Sequence, residues 1–251
     1  MNVWVALLWG AFSSAALFLG QILAGPLQPR VKVTGLLMGF GAGTMLSAVA
    51  YELVPLSDLG NGAGVAVAFF AGALVYYVAD RLVDARGGAD RSAIADDHPA
   101  GASDAVDSPG SGAAMFLGAL LDGVPEAFIL GIGISLGGSV SVAFVAAVFV
   151  SNVPQGAAGT LALQQAGTPD RTITAMWAAL TAATAAVAAI GFLVGDSIPN
   201  QGVYASVFAG GAVLVMLADS MMPEAFEHGG RSVGLLTALG YLAATVLTIL
   251  D

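Results

Sequence analysis

The chain contains no cysteine among its 251 residues, which excludes disulfides and thiolate metal ligands. Charge is also scarce, since Asp, Glu, Lys and Arg make up 10 % of the residues, against about 25 % in soluble globular proteins. Only seven residues are basic and the formal net charge is −10, which argues against nucleic acid as a partner. Hydrophobic residues make up 57 % of the chain. This composition predicts an all-α integral membrane protein embedded in a lipid bilayer.

The apolar residues fall into segments long enough to span a bilayer, which requires about 20 residues per helix. None of them shows the alternating pattern of a membrane β-barrel strand. We therefore predict one transmembrane domain over residues 1–251 with eight transmembrane helices. The predicted spans are Val3–Gly25, Val33–Pro55, Asn61–Asp80, Gly112–Leu136, Val140–Leu163, Thr172–Gly195, Gly202–Met222 and Ser232–Leu250.

One polar, low-complexity segment, residues 84–110, separates the third and fourth predicted spans. It contains six Asp and two Arg among Ala, Gly and Ser, a composition too polar to pack a core. We predict a flexible acidic loop here.

The basic residues predict the orientation of the chain. Under the eight-span prediction they fall only in the loops that follow the first, third, fifth and seventh spans: Arg30, Lys32, Arg81, Arg86, Arg91, Arg171 and Arg231. Cytoplasmic loops are the ones enriched in Lys and Arg. The acidic loop is therefore expected in the cytoplasm and both termini outside it, in the cell (inner) membrane.

Two internal echoes predict a symmetric plan. The motif from Asp122 to Ala127 resembles the motif from Ser151 to Gly156 when their prolines are aligned at an offset of 29 residues. The stretch from Gly43 to Pro55 resembles the stretch from Gly211 to Pro223 at an offset of 168. These echoes favour a 3+2+3 inverted-repeat bundle, a plan in which transporters bind substrate near the midplane.

Asp122 and Glu126 are four residues apart, so both lie on one face of the fourth span. A charge at the bilayer centre costs about 2.5–3.5 kcal/mol on insertion scales, and two like charges also repel each other. A bound cation would remove both penalties. The alternative is a carboxylate pair that shares a proton and holds polar helices together.

Ser151, Asn152 and Gln155 offer neutral oxygen ligands on the fifth span at the same expected depth. Alone, such an amide pair equally indicates interhelical hydrogen bonding. Pro125 and Pro154 each lack an N–H, so they are expected to kink their helices and free a carbonyl, which could either face the site or only accompany the bend.

Further acidic side chains lie towards the ends of the second and seventh spans. Glu52, Asp219, Glu224 and His228 either mark where a cation enters and leaves or are interfacial side chains in water. No motif of a hydrolase or metalloprotease is present and the chain has only two histidines, so we expect no enzyme and no resident cofactor.

The chain resembles the ZIP (Zrt-, Irt-like) family of divalent-metal transporters over essentially its whole length. The resemblance is carried by the two proline motifs, by Gly41-Ala-Gly-Thr-Met-Leu in the second span, and by Ala209-Gly-Gly-Ala with Met-Pro223-Glu224-Ala in the seventh. It implies eight helices in a 3+2+3 plan and a metal pathway between helices 4 and 5. It also implies that Met45 contributes to the site, as a methionine of the family's second helix does.

The motifs depart from the family pattern at the ligand positions. Asp122 stands where the family usually has His, and Gly123 where it has Asn, while Glu126 is retained. On the fifth span, Ser151, Asn152 and Gln155 replace stronger ligands. Oxygen ligands without imidazole suit harder cations such as Mn²⁺ or Mg²⁺ better than Zn²⁺.

The predicted function is transport of a divalent metal cation into the cytoplasm through a single-ion site of Asp122, Glu126, Ser151, Asn152, Gln155 and Met45. Two alternatives stay open. One is a ZIP-like membrane protein that has lost transport and acts as a sensor or structural partner; the other is a carrier of protons or a small organic cation. The oligomeric state, a homodimer included, also stays open.

Overall fold

Long helices form nearly all of the structure. The computed structural model describes residues 2–54, 62–83, 111–135, 141–195, 197 and 202–250, with residues 29 and 111–115 described by their backbone alone. The predicted acidic loop over residues 84–110 lies outside these ranges. No strand occurs in the part of the chain that the structure describes.

The first six helices agree with the predicted spans to within a few residues. They are α1 Val3–Leu27, α2 Val31–Ala48, α3 Gly62–Val83, α4 Ser111–Ser135, α5 Val142–Gln165 and α6 Asp170–Gly195. The 3₁₀ turn Gln28–Arg30 joins α1 to α2, and Val49–Leu53 continues α2 as a π-helix.

The last part of the chain is one helical run, Val203–Leu250, with three interruptions. Helix α7 covers Val203–Met216, a second π-helix follows at Leu217–Met221, and α8 covers Met222–Gly229. The 3₁₀ turn Gly230–Ser232, in which Gly230 has a φ of 66°, leads into α9, Val233–Leu250.

Seven segments among the described residues are long and apolar enough to cross a membrane, and Val203–Leu250 is one of them at 48 residues. The chain is therefore a multi-pass membrane protein. Its lipid-facing surface is formed largely by α3 and α9, whose outward side chains are large and apolar; they include Val67, Phe70, Leu74, Leu235, Leu239, Leu242 and Ile249.

Helices α2 and α9 cross at a pair of glycines. A Cβ atom on Gly43 would overlap the carbonyl of Thr237, three residues before Gly240. A Cβ atom on Gly240 would likewise overlap the carbonyl of Phe40, three residues before Gly43. Small residues let helix backbones approach this closely in membrane bundles.

Helices α3 and α7 repeat this crossing with different side chains. Gly211 lies on the carbonyl of Phe69, and Gly72 lies on the carbonyl of Phe208. Each of these numbers differs by 168 from its counterpart in the α2–α9 crossing: 211 from 43, 72 from 240, 69 from 237 and 208 from 40. The π-helices at Val49–Leu53 and Leu217–Met221 are separated by the same 168 residues.

The remaining large contacts join α1 to α5 and α4 to α6, again at glycine pairs. Gly20 and Gly156 face each other in the first pair, each on a carbonyl three residues before the other. Gly131 and Gly191 do the same in the second. These pairs relate α1 to α6 by 171 residues and α5 to α4 by 25, so the two proline motifs, 29 apart, lie about one helical turn out of register.

Candidate functional site

A small cavity of about 80 Å³ lies inside the bundle, between α1, α2, α4, α5, α6 and the end of α7 with the start of α8. A water molecule takes about 30 Å³ of liquid volume, so this space holds two or three waters or one partly hydrated ion. Two carboxylates, Asp122 and Glu224, and two amides, Asn152 and Gln155, line it. No Lys, Arg or His is among the lining residues.

Asp122 reaches the cavity from the middle of α4 and is half-buried. The hydroxyl of Tyr76, on α3, donates a hydrogen bond to its Oδ1. A hydroxyl that donates to an ionised carboxylate forms one of the stronger hydrogen bonds in proteins. The side chain of Asp122 is therefore held from α3 as well as from its own helix.

Glu224 lies in the first turn of α8, just after the second π-helix, and is 9 % exposed. Its Oε1 is buried and has no hydrogen-bond partner among the described residues. The Nδ1 of His228 lies 2.8 Å from the backbone carbonyl oxygen of Glu224, to which it donates. A buried polar atom without a partner is destabilising by about 1–3 kcal/mol, and by more when it is charged. This oxygen is therefore suited to a ligand in the cavity.

The two amides come from α5, where Asn152 and Gln155 are three residues apart and share one face. The Nδ2 of Asn152 donates to the backbone carbonyl of Ser13 on α1, at 3.2 Å. An amide whose nitrogen is engaged in this way offers its carbonyl oxygen as the cation-binding atom. Asn152 thus combines helix attachment with the ligand role predicted for it.

Three hydroxyl side chains, Ser14, Thr184 and Ser220, complete the polar lining. Ser14 Oγ and Thr184 Oγ1 are 2.8 Å apart across the contact between α1 and α6. Because the Thr184 hydroxyl also donates to the carbonyl of Leu180 at 3.0 Å, Ser14 is the donor to Thr184. These oxygens add weak neutral ligands or water-binding positions to the cavity wall.

Three of the predicted metal-site residues do not line the cavity. Glu126, one turn beyond Asp122, is buried at 5 % exposure. Ser151 is buried and its hydroxyl donates to the carbonyl of Val148 at 2.9 Å. Met45 packs in the apolar core at 0 % exposure. The structure thus brings Asp122, Asn152 and Gln155 together, and adds Glu224, which the sequence pattern placed along the pathway.

The other predicted pathway residues also lie away from the cavity. Glu52 is in the first π-helix and Asp219 is in the second, where its side chain is exposed. His228 is half-buried at the end of α8. Pro125 and Pro154 lie inside α4 and α5, and both helices continue through them.

The sequence analysis missed Tyr76, Ser14, Thr184 and Ser220. Ser, Thr and Tyr are common in membrane helices, so single hydroxyls carry little signal. For Tyr76 a weak signal existed, because Gly72 lies four residues earlier and glycine faces mark helix contacts.

No group of three or more His, Asp or Glu side chains is placed to hold a metal ion in the described ranges. Any cation in the cavity would depend on the two carboxylates with amide and hydroxyl oxygens. No protein-family model matches the chain, and no curated protein matches it either. The argument for function therefore depends on the site itself.

Proposed function

We propose that this protein is a secondary transporter of divalent metal cations, which carries ions of the Zn²⁺, Mn²⁺ or Fe²⁺ type into the cytoplasm. The observation that carries the proposal is the buried Oε1 of Glu224, which has no hydrogen-bond partner among the described residues. It belongs to a carboxylate that lines the same small cavity as Asp122. Two carboxylates can neutralise one divalent ion, and burying a charge without compensation is strongly unfavourable. The metal is the transported substrate.

The proposed site consists of Asp122, Glu224, Asn152 and Gln155, with Ser14, Thr184 and Ser220 as neighbouring hydroxyls. All of the donors are oxygen atoms, which suit Mn²⁺ and Mg²⁺ better than Zn²⁺. Glu126, beside Asp122 on α4, adds negative charge from outside the cavity wall. We therefore expect less preference for zinc than the ZIP resemblance implies.

The proposed topology has eight spans, with α7 and α9 as separate spans within Val203–Leu250. The glycine crossings support this count, because α7 packs on α3 whereas α9 packs on α2. They also support inverted repeats, since the two crossings are related by 168 residues, as are the π-helices. The positions of the basic residues support termini outside the cytoplasm in a cell (inner) membrane protein.

The proposed cycle moves two helix groups against each other, as the ZIP resemblance implies. The first group is α1, α4, α5 and α6, and the second is α2, α3, α7 and α9 with α8. The glycine crossings lie within these groups, which supports treating each as a packed unit. The cavity is lined from both groups, so relative movement would change its access.

Uptake of Mn²⁺ and Zn²⁺ into proteoliposomes tests the proposal. We expect Asp122→Asn and Glu224→Gln each to reduce Mn²⁺ uptake by roughly 30-fold or more, since loss of one partner from a buried charge pair costs about 2–5 kcal/mol. Glu227→Gln is the matched control, because Glu227 is exposed on the same short helix and does not line the cavity.

Three outcomes would contradict the proposal in different ways. Uptake unaffected by either cavity substitution would reject the site. Failure of any divalent ion to stabilise the folded protein would instead favour a sensor or structural partner, because a ligand of the folded state must raise its stability by mass action. A pH-dependent current without metal would favour a proton carrier.

A further inference from the structure

Helix α3 buries few residues in the bundle, and one of them is a tyrosine. Its buried residues are Val65, Gly72 and Tyr76, while many of its other side chains face outwards. Tyr76 is 2 % exposed. A buried tyrosine usually finds a hydrogen-bond partner for its hydroxyl. Here that partner is Oδ1 of Asp122, one of the two carboxylates in the cavity.

Tyr76 and Asp122 face different spaces. Tyr76 lines an apolar groove of about 500 Å³ between α3, α4 and α7, together with Gly72, Pro125 and Phe208. Asp122 lines the cavity and does not line this groove. The hydroxyl therefore contacts the carboxylate from outside the cavity, where it does not compete for space with a bound ion.

A carboxylate held by one oxygen presents its other oxygen in a restricted set of directions. Carboxylates that bind metal ions are commonly hydrogen-bonded by such outer partners, and loss of the partner lowers metal affinity by roughly 10- to 100-fold. Without Tyr76, the Asp122 side chain would regain rotamer freedom, which it would lose again each time an ion binds.

We infer that Tyr76 is a positioning residue for cation binding: it holds Asp122 so that the second carboxylate oxygen faces the cavity. The inference depends on the proposed function, because it assigns Tyr76 a role at the same site. It also gives α3 a part in ion binding, although no residue of α3 lines the cavity.

The test is a Mn²⁺ titration of the full-length, detergent-solubilised protein, in which the electron paramagnetic resonance signal reports free Mn²⁺. We expect Tyr76→Phe to raise the Kd by about 10-fold or more while the ring continues to fill its space. Tyr77→Phe is the matched control, because Tyr77 is 40 % exposed on the same helix, where Arg81 lies 5.0 Å from its ring centroid. Its Kd is expected to equal that of the wild type.

A double-substitution cycle separates positioning from a merely structural role. If Tyr76 acts through Asp122, adding Tyr76→Phe to Asp122→Asn should change the remaining Mn²⁺ affinity by less than about twofold. An unchanged Kd in Tyr76→Phe would overturn the inference, even if the melting temperature without metal fell. If the wild type binds Mn²⁺ and Asp122→Asn does not, the proposed function stands whatever Tyr76→Phe does. If the wild type itself binds no Mn²⁺, the proposed site and the role of Tyr76 are both rejected.

Discussion

The two π-helices have the same place in the packing but carry different chemistry. Val49–Leu53 continues α2, and Leu217–Met221 continues α7, at positions 168 residues apart. In the second, Ser220 lines the cavity and Glu224 follows one turn later. In the first, Glu52 takes the position that matches Ser220 and does not line the cavity. The backbone plan is duplicated, whereas the polar lining in this conformation comes from one copy.

The largest expected effect compares the acids next to the two π-helices. Glu224→Gln should weaken Mn²⁺ binding by roughly 30-fold or more, because a buried carboxylate in the cavity loses its charge. Glu52→Gln should leave the Kd within about twofold, the range expected for surface charges. Equilibrium dialysis with Mn²⁺ measures both, and equal losses would mean that both copies contribute to one site.

The glycine crossings allow the packing symmetry to be tested independently of ions. Gly72→Ala and Gly240→Ala occupy matching positions, and each new methyl group would overlap a phenylalanine carbonyl. Each should lower the free energy of unfolding by about 1–3 kcal/mol, the usual effect of overpacking. Thermal unfolding in detergent, followed by tryptophan fluorescence, is the measurement.

Gly234→Ala is the control for these variants, because nothing lies within 4 Å of a Cβ at that position on α9. It should be neutral or stabilising by up to about 1 kcal/mol, since alanine favours the helix. If only one of Gly72→Ala and Gly240→Ala destabilised the protein, the two crossings would not be energetically equivalent.

A smaller effect separates two neighbours on α5. Asn152→Ala should raise the Kd for Mn²⁺ by about 10-fold, since it removes both a cavity oxygen and the hydrogen bond to Ser13. Ser151→Ala should change it by less than about twofold, because the Ser151 hydroxyl is engaged by its own helix at Val148. Isothermal titration calorimetry distinguishes them, and the reverse order would place Ser151 in the site.

The sequence predicted the helices well because their signal is long and local. The first six spans match the observed helices closely, since about 20 apolar residues between polar loops leave little choice. The offset of 168 read from Gly43 and Gly211 recurs in the packing for a physical reason. Glycines repeat where backbones must touch, so the residues that carry the echo also make the contact.

The site was predicted less completely, because a helix that is apolar on every side does not indicate which face points inwards. Asp122, Asn152 and Gln155 line the cavity as expected, whereas Ser151 and Met45 face other neighbours. The proline alignment at 29 residues relates the motifs as sequences. The glycine contacts instead set an offset of 25, which places Glu126 and Ser151, both buried, at matching positions.

Tyr76 shows a second reason for incompleteness. It acts from α3, a helix with no other buried polar side chain among its described residues, so no motif surrounds it. Its partner lies 46 residues away along the chain, with the predicted acidic loop between them. Such a contact is decided by tertiary packing, which a single sequence does not report.

A π turn contains one residue more than an α turn, and each helical residue advances the chain by about 100° and 1.5 Å. The side chains beyond Met221 are therefore turned by about 100° from where an uninterrupted helix would point them. Glu224 faces the cavity because of that surplus residue. Each of the two helices thus holds a single residue of reserve length, and releasing it would re-aim a carboxylate by rotating one helix end, with the glycine crossings left in place.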